Sequence, residues 1–77
     1  MIFNFEEKID LIKIDVEGME MDVLLGAKKI IQHYTPLIYI EAKENKEFDE
    51  INFFLRNFNY KPIKKFNYTP TYLFINE

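Results

Sequence analysis

Between Ile9 and Glu20 a short apolar run, Ile9, Leu11, Ile12 and Ile14, passes directly into a glycine set among carboxylates: Asp15, Glu17, Gly18 and Glu20. Strands buried on both faces read as near-continuous apolar runs, so this segment predicts a parallel strand of an α/β sheet. Open sheets of that kind bind ligands outside the carboxyl ends of their strands, which makes the acidic turn a site edge. It lies so near the start of the 77 residues that most of such a sheet would have to precede Met1. The chain is therefore expected to be a partial domain.

From Met19 to Tyr34 the apolar residues Val23, Leu24, Ala27, Ile30, Ile31 and Tyr34 recur at spacings of three and four and predict one helix, weakened only slightly by Gly26. Glu20 and Asp22 fall in its first turn, where the helix dipole favours anions. Thr35-Pro36 stops it, and Leu37 to Ile40 reads as a second apolar strand that ends in Glu41. Ala42 to Glu47 is polar and reads as a loop, and Phe48, Ile51, Phe54, Leu55 and Phe58 define a second helix closed by Asn59. Tyr60 to Lys65 and Thr71 to Asn76 are β-rich runs joined across Phe66 to Pro70, an antiparallel hairpin. Pro62 cannot donate to a ladder, so its strand belongs at a sheet edge, where Lys61, Lys64 and Lys65 would discourage further pairing.

The order β-α-β-α-β-β is that of a single α/β unit over residues 1–77. Right-handed crossovers moving one way across a sheet put both helices on one face. The opposite face is expected to be bare, and the first strand to present an unpaired edge to an upstream strand or a second copy of the chain.

The absence of cysteine excludes disulfides and Cys/His zinc sites, and no metal is assigned. A net charge of −3 gives no general attraction to nucleic acid. No apolar run reaches the roughly 20 residues that a membrane span requires, and the start lacks the regions of a signal peptide, so a cytoplasmic location is expected. No P-loop, nucleophile elbow or G-x-G loop follows a first strand.

Asp15 and Glu41 are placed at one carboxyl edge and could face a common ligand or a metal ion, or serve as solvated loop residues and helix caps. Lys13 points to the same face as Asp15, and if buried would need Asp15 or Glu41 as partner. Glu17 and Glu20 flank Gly18, whose presence suggests tight backbone geometry or a closely approaching ligand. His33 sits near a helix end, where a cation is favourable. Met19, Met21 and the aromatic residues, Tyr68 among them, read as packing groups.

The run IDLIKIDVEGMEMDVLLGAKKII, then Pro36-Leu37-Ile38-Tyr39-Ile40-Glu41 and a closing Tyr72-Leu73-Phe74-Ile75, resembles the carboxyl-terminal half of FkbM-type S-adenosylmethionine-dependent methyltransferases. The resemblance covers nearly the whole chain. It implies a Rossmann-like class I sheet ordered 3-2-1-4-5-7-6, of which this chain supplies strands four to seven. It also implies methyl transfer to a hydroxyl of a sugar, glycan or other natural product. Asp15 would then be the base or acceptor-orienting group at the end of strand four, next to the cofactor, with Lys13 and Glu41 in support. Glu17 and Gly18 would border the cofactor, and Glu17, Glu20 and Glu41 the acceptor. The family's glycine-rich cofactor motif has no counterpart in these residues. On their own they are expected to hold S-adenosylmethionine poorly and to be inactive, needing a separate cofactor-binding half or surviving as a self-associating, partner-binding module.

Overall fold

A computed structural model describes residues 2–5, 8–15, 18–66 and 70–77, with side chains from Leu11 onward. The elements run β1 (Ile2–Phe5), β2 (Lys8–Ile14), α1 (Glu20–Gly26), α2 (Lys28–Tyr34), β3 (Leu37–Glu41), α3 (Asn45–Arg56), β4 (Tyr60–Phe66) and β5 (Thr71–Asn76). They form one mixed sheet in the order β1-β2-β3-β5-β4. β2 and β3 are parallel, and β5 inserts antiparallel between β3 and β4. The strand carrying Pro62 is an edge strand, as its missing N–H requires. Residues 67–69 of the expected hairpin connection, with Tyr68, lie outside the described residues, as does Glu17.

Three expectations are corrected. The edge of β2 is not open, because β1 pairs with it antiparallel, Ile2 opposite Ile12 and Phe5 opposite Lys8. An apolar strand with a free edge exposes a row of backbone donors and acceptors, and the β-favouring segment just upstream satisfies them. The register slips between Phe3 and Asn4, leaving Asp10 as the extra residue of a bulge. The expected single helix is also two, broken at Ala27. Gly26 precedes the break, and the Ala27 amide shares its hydrogen between the carbonyls of Val23 and Leu24 at 2.9 and 3.2 Å. The Ile31 amide returns to the Ala27 carbonyl at 2.9 Å, so Ala27 stays hydrogen-bonded to both helices. The third helix starts earlier than its apolar pattern, at Asn45, within the stretch expected to be a loop.

All three helices contribute to one core. Ile12, Ile14, Ile38, Ile40 and Phe74 from the sheet bury against Leu24, Ile31, Ile51 and Leu55 from the helices. The intervening strand residues belong to the opposite face, where Leu37 is 44 % exposed and Tyr39, Leu73 and Ile75 are half-buried. Among the described residues no helix covers that face, in keeping with the handedness of the crossovers. Lys61, Lys64 and Lys65 lie on the outer strand: Lys61 pairs with Glu77 at 2.9 Å, and the other two sit over the rings of Phe66 and Tyr72. Among the described residues no helix is long and apolar enough to cross a membrane.

Tyr60 ties the two ends of the fold together. Its hydroxyl donates to the carbonyl of Pro36, 24 residues away, in a buried contact that joins the start of β4 to the approach to β3. Tyr60→Phe removes this buried bond and is expected to cost about 1–3 kcal/mol, measured as a lower urea midpoint. Burial also pushes the phenol well above its ordinary 10.0. A group whose folded pKa is raised contributes fully below its unfolded value and loses that contribution as pH climbs past it. The native chain should therefore lose stability above pH 10.0, and Tyr60→Phe should lack this part of the loss.

Candidate functional site

The β2–β3 pair sets the site edge. Ile14 stands opposite Ile40, so Asp15, directly after β2, and Glu41, the last residue of β3, come to the same level on neighbouring strands. Such strands lie about 4.8 Å apart, close enough for both carboxylates to meet one small group. Asp15 is exposed and Glu41 half-buried. The isoleucines of both strands face the helices, so alternation turns Lys13, Tyr39 and Glu41 toward the open face. Lys13 is exposed rather than buried, and it is not without a partner.

Beyond Asp15 the chain turns through Gly18 into α1. Gly18 has φ 79°, a left-handed conformation that L side chains rarely adopt, and a Cβ built on it would meet nothing within 4 Å. The glycine is thus required by the backbone and not by crowding. Gly18→Ala is expected to cost about 1–2 kcal/mol, and Gly18→Asn less, since asparagine tolerates this region better. Thermal unfolding of the two variants checks the order.

Glu20, the first residue of α1, is only 4 % exposed. It lines a cleft of about 270 Å³ together with Gly18, Met21, Glu47, Glu50 and Ile51. The structure therefore divides the residues that the sequence grouped. Asp15, Lys13 and Glu41 belong to the strand ends, whereas Gly18 and Glu20 join α3 on the helix side, and neither Asp15 nor Glu41 lines that cleft. Glu47 and Glu50 were not singled out in the sequence. Their spacing of three on one helix, with Ile51 buried beside them, was the available signal that they share a face. Among the described residues no three acidic or histidine side chains group so as to hold a metal ion.

The model of the Methyltransferase FkbM domain matches residues 2–62, well over half of the chain. The chain belongs to the FkbM methyltransferase family. The matched span contains both carboxylate groups, from Asp15 through Glu50, and ends at Pro62 in β4. No curated protein and no solved structure matches the chain. Methyltransferases such as those of the FkbM family generally use S-adenosylmethionine. Among the described residues lining the cleft the charged ones are three glutamates, which offer no partner to the cofactor's carboxylate but would attract its ammonium and sulfonium.

Proposed function

We propose that this FkbM chain supplies the acceptor side of an O-methyl transfer from S-adenosylmethionine to a hydroxyl of a sugar, glycan or other natural product. The supporting observation is the alignment of Asp15 and Glu41 at the carboxyl ends of adjacent parallel strands, inside the family match. A sulfonium donor is already activated, so the protein must mainly align the acceptor and accept a proton. In this reading Asp15 would take the proton of the acceptor hydroxyl as the hydroxyl oxygen bonds to the methyl carbon and the methyl–sulfur bond breaks, the thioether S-adenosylhomocysteine leaving. Glu41 orients that hydroxyl, and Lys13 favours the ionised carboxylates. Gly18 and Asp15 border the donor.

We assign β2, β3, β4 and β5 to strands four, five, six and seven of a Rossmann-like class I sheet. In that assignment β1 occupies, antiparallel, the place beside β2 that strand one would take. These residues alone are then inactive, and a cofactor-binding half must displace β1. The test is to combine the chain with the glycine-rich half of an FkbM methyltransferase and follow labelled methyl transfer to hydroxyl-bearing glycans. Transfer on mixing supports the reading; no transfer by halves that demonstrably associate contradicts it.

The bare sheet face favours a second reading, a self-associating or partner-binding module. Light scattering that shows one defined oligomer, together with no methyl transfer in the mixing experiment, would favour it.

A further inference from the structure

The cleft between α1 and α3 has a use that the proton-accepting edge does not give it. Glu20 is more than nine-tenths buried, yet no described group hydrogen-bonds or ion-pairs with its carboxylate. No buried side-chain oxygen among the described residues is both sealed and unpartnered. What little of Glu20 meets solvent is therefore its carboxylate, and Glu20 lines the cleft. Burying an ionised carboxylate without a partner is costly, and a cation supplied from outside relieves that cost. Glu47 and Glu50 add two further carboxylates around the same space, with Met21 and Ile51 as its apolar wall.

We propose that this cleft binds the protonated amine of a small ligand, Glu20 receiving the ammonium and Glu47 and Glu50 flanking it. An ammonium carries three donors in a compact head and needs only one carboxylate in direct contact, here Glu20, with Glu47 and Glu50 adding negative charge along the same cleft. A metal ion is the poorer match, since no three of the described acidic groups converge as metal ligands. The volume of about 270 Å³ suits a small molecule, lying just under the roughly 300–1,000 Å³ of common ligand clefts. That the ligand is the methyl acceptor, an amine-bearing hydroxyl compound, rests on the methyltransferase reading. The preference of the cleft for a cation does not.

The test is a nuclear magnetic resonance titration of the labelled 77-residue chain with glucosamine, with glucose as the neutral control and magnesium chloride run separately. Glucosamine should produce saturable shifts at the amides of Gly18, Met21, Glu47, Glu50 and Ile51, and glucose should not. Glu20→Gln should weaken the binding about tenfold or more. Should Glu20→Gln fail to fold, Glu50→Gln decides, because Glu50 is exposed: weaker binding supports the proposal and unchanged binding overturns it. Equal shifts with glucose, no saturable shift, or shifts with magnesium alone would also overturn it. Because the readout is binding, its failure leaves the methyl-transfer reading to be judged separately.

Discussion

Phe74→Ala should remove about 3–5 kcal/mol of stability, the largest loss expected from any single truncation in this chain. Phe74 is fully buried in β5, which lies between β3 and β4, and the register sets it opposite Ile38 on one side and Pro62 on the other. Its ring also stacks on Phe48 at 6.1 Å, so the cavity would open where sheet and α3 meet. A chain this short has a total stability of about 4–12 kcal/mol at ordinary per-residue values. The variant should therefore be largely unfolded or have a sharply lower urea midpoint. Phe53→Ala, at a side chain 69 % exposed, should stay within about 0.5 kcal/mol of the native chain. A cost below 1 kcal/mol at Phe74 would mean that β5 does not close the core as described.

The parts of the fold that were legible in the sequence depended on local rules. Ile12, Ile14, Ile38 and Ile40 read as buried strands because the runs that hold them are continuous, and both runs are strands. Pro62 read as an edge residue because proline lacks an N–H, and β4 is at the edge. What escaped depended on tertiary partners. Ile2–Phe5 is four residues long and becomes a strand only because the neighbouring edge of β2 needs pairing. The break at Ala27 was hidden because the apolar spacing runs through it unbroken, so periodicity could not show that Gly26 ends a helix.

The candidate site divides in the same way. Asp15 and Glu41 were legible because each ends a strand of apolar residues, and the parallel register brings them level. The glutamate cleft was not, because Glu20 meets Glu47 and Glu50 only where α1 and α3 pack together. Within the sequence Glu20 read as a first-turn anion, a role that is satisfied by its own helix and predicts no burial. Only the fold shows that the Glu20 side chain is nearly enclosed and meets solvent in the cleft.

The second large effect is expected at Asp15. Replacing it with asparagine keeps the shape of the side chain and removes the group proposed to take the acceptor proton. Positioned proton transfer contributes about 10²–10⁴-fold, and the loss should fall on kcat. Stability should change by no more than about 0.5 kcal/mol, since Asp15 is exposed. Asp22→Asn, an exposed carboxylate in the first turn of α1, controls for the general loss of a negative charge.

The most direct test of the methyltransferase reading is the initial rate of labelled methyl transfer from S-adenosylmethionine to a hydroxyl-bearing glycan. It is measured for the chain assembled with a cofactor-binding half, in the native, Asp15→Asn and Asp22→Asn forms. The account predicts transfer by the native and Asp22→Asn assemblies and a kcat about 10²-fold or more lower for Asp15→Asn. Equal rates for all three would contradict the role of Asp15, and no transfer by a correctly associated native assembly would contradict the methyltransferase reading itself.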